Sequence, residues 1–170
     1  MPQLDDLVVG LVALSGGELV GRIRLQKVMY LLENLGMDSG VPFEYHHFGP
    51  YSEAVSDAVT DAKFWGNIEE AVSFRVSDGA PYSTFTTDRE AAPPNTLGAL
   101  SADNARGYLE KFTSCTSTVL ELAATVHWLA FFEKVPDWRT EIEVRKQGKT
   151  GHGRLERALS LLKEVDLAPA

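Results

Sequence analysis

Few residues in this chain have the type and spacing to do chemistry together. The histidines are His46, His47, His127 and His152. A metal site needs three or four ligands converging at about 2 Å. His46 and His47 are neighbours in an extended segment, so their side chains point to opposite faces and at most one joins any site. The sequence contains no HExxH, CxxC or paired His-x-His spacing. His127 falls in an apolar helix, where it reads as a core histidine satisfied by one hydrogen bond. Gly148-Lys149-Thr150 has the ending of a phosphate-binding P-loop, but Glu143 occupies the place of that motif's first glycine and no strand precedes it. No serine sits in a Gly-x-Ser-x-Gly elbow. Cys115 has no neighbour that would activate it and reads as a small, semi-buried thiol. Neither a metal nor a cofactor is expected, and the chain is expected not to be an enzyme. A closed polar pocket gathering Lys27, His47 and Tyr51 would raise the enzymatic reading.

The elements that must position these groups are legible from periodicity. Leu4, Leu7, Val8 and Leu11 predict a helix from Leu4 to about Leu14, ended by Ser15-Gly16-Gly17, with Glu18 to Gly21 as a short connection. The stretch Gly21 to Ser52 organises the rest. It opens with a helix whose core face is Leu25, Val28, Met29 and Leu32, stopped at Gly36. Arg22, Arg24 and Lys27 lie off that face, as charge on a surface helix does. Gln26 and Tyr30 share a side from which an amide and a phenol can pin a backbone loop such as Gly49-Pro50. An extended piece, Phe43 to Phe48, leads to a sharp turn at Gly49-Pro50. Ser52 then caps a helix with the stripe Val55, Ala58, Val59 and Ala62.

Further on, Val72, Phe74 and Val76 alternate with polar residues, which predicts a half-buried strand turned at Asp78-Gly79 and returning over Tyr82 to Thr86. Residues 88–100 read as a loop. Ser101 caps a helix with Ala105, Tyr108, Leu109 and Phe112 on one face. Val119 to about Phe132 is apolar nearly all round, the mark of a central helix. Asp137 caps a helix from Trp138, and Leu155, Ala158, Leu159 and Leu162 define a last one. Arg139, Arg145, Lys146, Lys149, Arg154 and Arg157 concentrate basic charge there, diluted by Glu141, Glu143 and Glu156, and read as a solvated helix pair. The expected architecture is a single α+β domain over 1–170, mostly α-helical. Its N-terminal part (1–90) is winged-helix-like with a β-hairpin, and its helical C-terminal part (101–167) packs on it.

Composition narrows the partners. The formal net charge is −8. Residues 1–90 carry 14 acids against 6 bases, and residues 91–170 carry 10 of each. Such a chain repels nucleic acid at long range unless it holds a local basic patch, and the hairpin carries only Arg75. The apolar run Leu7 to Leu14 follows Asp5 and Asp6. It lacks the basic start of a signal peptide and is too short to span a bilayer. With one cysteine and no membrane segment, a cytoplasmic location is expected.

Two segments resemble a known family. Arg24-Leu25-Gln26-Lys27, followed by Tyr30 and two leucines, is similar to the LQK-x-x-Y-L helix of the Panacea domain, the SocA-type antitoxin family. Tyr45-His46-His47-Phe48-Gly49-Pro50-Tyr51-Ser52 resembles its second signature. Ala124-Thr125-Val126-His127-Trp128-Leu129 matches a late helix shared with the YwgA-like bacterial proteins. The resemblance implies a non-enzymatic interaction module of antitoxin-like or adaptor type that binds a partner protein, a toxin or client. It marks Gln26, Lys27, Tyr30, His47 and Tyr51 as binding positions. The alternative is a winged-helix-type nucleic-acid-binding regulator, which the acidic charge disfavours. Homodimerisation is left open.

Overall fold

The computed structural model describes residues 3–170. The chain is α+β and mostly helical, built where periodicity places its helices. Helix α1, Leu4–Leu14, buries Leu7, Val8, Leu11 and Leu14, and packs against α3, Glu53–Phe64, whose stripe Val55, Ala58, Val59 and Ala62 is buried in turn. Ser52 caps α3 by accepting from the Val55 N–H at 3.2 Å. Helix α2, Arg22–Leu32, runs into one turn of π-helix, Glu33–Met37, where Gly36 takes φ 106° and releases the chain. The Glu33 carboxylate then accepts from the backbone N–H of Ser39 and of Gly40, which holds the exit loop.

In the second half, α4, Ala102–Thr113, and α5, Ser117–His127, are capped by Ser101 and Thr116. Helix α5 is buried from Val119 to His127, packs on α2 and on α7, Arg154–Glu164, and continues as a π-turn over Trp128–Phe132. Asp137 caps α6, Trp138–Arg145. One buried apolar cluster extends from α1 to Val165, so the two halves of the sequence share a core. No single helix among the described residues is long and apolar enough to cross a membrane.

Strands appear where the sequence reads as connection. Glu18–Val20 forms β1, which pairs antiparallel with Thr84–Thr86 of a later strand. Short β2, Glu44–His46, pairs with β3, Gly49–Tyr51, with His46 opposite Gly49. The turn of this hairpin is therefore His47-Phe48. Gly49 and Pro50, expected to make the turn, begin the returning strand instead. Strands β4, Glu69–Phe74, and β5, Pro81–Thr86, complete a sheet of order β1-β5-β4. Within residues 88–100 a small ribbon joins β6, Thr96–Leu97, to β7, Leu100–Ser101.

The β4–β5 hairpin also corrects an expectation about burial. Val72, Phe74 and Val76 are 58%, 67% and 104% exposed. The alternation marks a strand, but only the base of the hairpin, through Ile68 and Phe85, enters the core. The rest projects beyond the helices. Its base is held by Glu70, whose carboxylate takes the Arg22 guanidinium through Nε at 2.7 Å and Nη2 at 2.6 Å, together with Lys63 Nζ at 2.7 Å and the Ser83 hydroxyl. The bidentate Arg22 bond, followed by those of Lys63 and Ser83, keeps the Glu70 carboxyl down at about 2. A carboxylate with a depressed pKa stabilises the fold above its unfolded value and loses that contribution as pH falls through its folded one. Glu70→Gln is therefore expected to lower the denaturation midpoint at neutral pH, with the difference from the native chain closing as acid titration approaches pH 2.

Candidate functional site

The signature residues meet at the β2–β3 hairpin, which α2 and α5 clamp from beneath. Gln26 brackets Ser52: its Nε2 donates to the Ser52 carbonyl at 3.0 Å and its Oε1 accepts the Ser52 N–H at 2.9 Å. Two residues before Ser52, the Pro50 carbonyl accepts from Lys27 Nζ at 2.6 Å. A lysine expected on a polar face is thus buried, at 1% exposure, because the hairpin folds over it. Lys146 is buried too, at 3%. Its Nζ donates to the His47 carbonyl at 3.0 Å and pairs with Glu121 at 3.1 Å, while Lys149 reaches the same carboxylate at 3.0 Å. The C-terminal bases therefore divide: Lys146 is buried, Arg145 pairs with Glu133 and Glu141, and Arg154 donates to the carbonyls of Lys149 and Gly148, while Arg139 and Arg157 stay exposed.

Two ammonium groups share one carboxylate in this knot, and a third, Lys27, feels its charge without bonding to it. Burial pulls the Lys27 amine down to about 7; Glu121 opposes the fall, and Lys146 and Lys149 add to it. Burial lowers Lys146 as well. At neutral pH Lys27 therefore straddles its neutral and charged forms while still donating to Pro50.

Tyr30 lies deeper, with its hydroxyl 2.7 Å from His127 Nδ1 and its ring 5.3 Å from that of Phe43. Burial raises the phenol and lowers the imidazole to about 4, so the phenol donates to a neutral His127. The pair is a satisfied core contact, and Tyr30 pins His127 where a hold on the Gly49-Pro50 backbone was expected.

Beside the knot opens a cleft of about 190 Å³, lined among others by Arg22, Gln26, Lys27, Phe48, Tyr51 and Phe85. The fold thus gathers Gln26, Lys27 and Tyr51, and separates from them Tyr30, in the core, and His47, whose side chain is exposed in the hairpin turn. The cleft is open and largely apolar, and the Arg22 guanidinium at its rim is held by Glu70. No group of three or more His, Cys, Asp or Glu among the described residues could hold a metal ion. Sequence reasoning missed Glu121, Thr125 and Lys146. A carboxylate in the middle of the apolar run Val119 to Leu129 was the available signal, since a buried carboxylate demands a cationic partner.

This mostly helical α+β chain, with a lysine-stapled hairpin, is similar to two named proteins. YwgA of Bacillus subtilis, an uncharacterized protein, is 23% identical over 151 residues, covering 89% of this chain and 90% of the relative. The DNA ADP-ribosyl glycohydrolase of Thermus aquaticus is 26% identical over 147 residues, covering 81% of this chain. The matched stretch is 39% of the length of that glycohydrolase. No family model matches the chain. The second likeness overturns the expectation that the chain is not an enzyme. That expectation rested on the lack of a familiar catalytic spacing, whereas a relative matched over 39% of its length is named for an enzyme.

Two outcomes follow from the knot. Gly49 has φ 93°, and a Cβ there would stand 2.6 Å from Thr125 Oγ1. Gly49→Val is expected to cost about 3 kcal/mol or more in chemical denaturation, a larger loss than Lys27→Ala. An amine whose folded pKa is depressed costs stability in full below that value, and the cost is relieved as pH rises towards the unfolded one. Lys27→Met removes that cost, so its stability relative to the native chain should be most favourable below pH 7 and decline between pH 7 and about 10.

Proposed function

We propose that this chain is a protein-interaction domain of antitoxin-like or adaptor type, related to the Panacea family, and that it works alongside the removal of ADP-ribose from DNA. The observation that carries the reading is a concentration of exposed apolar side chains. Of the ten large hydrophobics left exposed among the described residues, six (Phe64, Trp65, Val72, Phe74, Val76 and Tyr82) fall within residues 64–82. Val72 and Phe74 share one face of the hairpin, and exposed apolar side chains grouped in this way are characteristic of a binding face. The relatives add a second support. A stretch similar to this chain makes up 90% of YwgA and 39% of the Thermus aquaticus glycohydrolase, as a module used both by itself and within a longer chain does.

Charge supports a protein partner over nucleic acid. Arg22 is paired with Glu70, Arg24 donates to the carbonyls of Val20 and Cys115, and Lys27 is buried. The three therefore offer no joint basic face to phosphates.

A second reading is favoured by the name of the Thermus aquaticus relative: that this chain itself acts on ADP-ribosylated DNA. The cleft lined by Gln26, Lys27 and Tyr51 would then receive the substrate, against a wall that Lys27 holds in place through the Pro50 carbonyl.

Affinity capture from the native host, with and without nuclease and read by mass spectrometry, tests the first reading. One dominant protein retained after nuclease treatment is the expected result. Proteins recovered only without nuclease would shift the assignment to a nucleic-acid complex. Incubation with an ADP-ribosylated oligonucleotide tests the second reading, which requires release of ADP-ribose by the native chain and its loss in Lys27→Ala.

A further inference from the structure

The sheet order β1-β5-β4 leaves β4 with an open edge. Arg75 N–H donates to the Ala80 carbonyl at 2.9 Å, and Ser73 stands opposite Tyr82, so Glu69, Ala71 and Ser73 direct their backbone groups at β5. Glu70, Val72 and Phe74 therefore direct theirs outward. Among the described residues no other backbone or side-chain group bonds to them.

Natural edges are blunted by proline, inward charge, bulges or brevity. The opposite edge obeys this: β1 has three residues, and its Val20 carbonyl is capped by Arg24 Nη1 at 2.8 Å. Strand β4 has six residues in unbroken register and contains no proline, lysine or bulge. Its Glu70 is turned onto Arg22 and Lys63, and only Glu69, at its start, offers charge to solvent.

On the face shared by Val72 and Pro81, a hollow of about 600 Å³ separates the projecting hairpin from the start of α2, with Ile23 and Ser117 on its far side. A strand laid along β4 would place alternate side chains in it. The surroundings also fix the sign of the charge such a strand needs. Arg22, Lys63 and Arg75, the bases beside β4, are each paired with an acid, whereas Glu69 on the strand itself enters no ion pair.

From this geometry we propose that β4 takes up an extended, basic and apolar-alternating segment of a partner protein as a fourth strand of the sheet. The proposal rests on the protein-binding reading above and names how that binding is made.

The test titrates the full chain into a fluorescein-labelled synthetic peptide alternating lysine and valine, read by anisotropy. Its control is the same peptide methylated on the backbone nitrogens of one edge. Val72→Pro removes an outward N–H without touching the β4–β5 ladder, and Val72→Thr keeps that N–H while reducing the apolar side chain. The native chain is expected to bind the unmethylated peptide. Val72→Pro and peptide methylation should each weaken binding by roughly tenfold or more, and Val72→Thr by less than about threefold. Equal binding of the methylated peptide, or no binding of either peptide, would overturn strand addition.

Host capture separates the two claims. A partner held equally by native chain and Val72→Pro leaves protein binding intact and removes β4 as its site. If Val72→Pro fails to match the native melting curve, the methylated peptide against the native chain decides alone.

Discussion

The structure depends on a buried amine that has no carboxylate of its own. Lys27 is closed off from water by the β2–β3 hairpin and reaches only the Pro50 carbonyl, while the nearby Glu121 carboxylate is taken by Lys146 and Lys149. A buried cation without a matched anion is costly, and the fold tolerates it by holding the amine near its neutral form. The arrangement joins distant parts of the chain. Lys27 comes from α2, Glu121 from α5 and Lys146 from the end of α6, and their partners Pro50 and His47 lie in the hairpin. The hairpin has just three paired positions, and its attachment is made by side chains from below. Gly49 lets it approach α5 so closely that Thr125 leaves no room for a side chain.

Rigid attachment there contrasts with the other hairpin. The β4–β5 pair is fixed at its base by Phe85, Leu19 and the Glu70 ion pairs, and beyond that base its apolar side chains meet solvent. Exposing valine and phenylalanine on a projecting edge forgoes the stabilisation that burial would bring. A core-forming role therefore does not account for these residues. Beside this hairpin Arg22, Lys63 and Arg75 are paired within the fold, and Glu69 is left without an ion-pair partner.

The two relatives place a similar stretch in different settings, one consisting almost wholly of it and one extending well beyond it. A unit that recurs in this way carries its own core, and here the core is shared by both halves through α2 and α5. The cleft beside Gln26, Lys27 and Tyr51 and the open edge of β4 lie on either side of Arg22 and Ile23, which line both.

Periodicity alone determined the helices. Leu25, Val28, Met29 and Leu32 on α2, Val55 to Ala62 on α3, and the largely apolar α5 had to be buried wherever they packed, and Ser52 and Thr116 supplied the caps of α3 and α5. That logic is local, because a helix satisfies its own backbone and shows its face every three or four residues. Sequence reasoning did not reach β1, whose three residues gain strand geometry only from pairing with β5 across more than sixty positions. Nor could it place the turn at His47-Phe48, since Gly49-Pro50 has turn chemistry and only the register shows it in a strand. Lys27 illustrates the division most clearly. Its spacing on α2 put it off the apolar face, and the helix is built as read. Its burial was decided by a hairpin folding over that flank and by Glu121 arriving from far along the chain, and electrostatic compensation between distant residues leaves no periodic trace in the sequence.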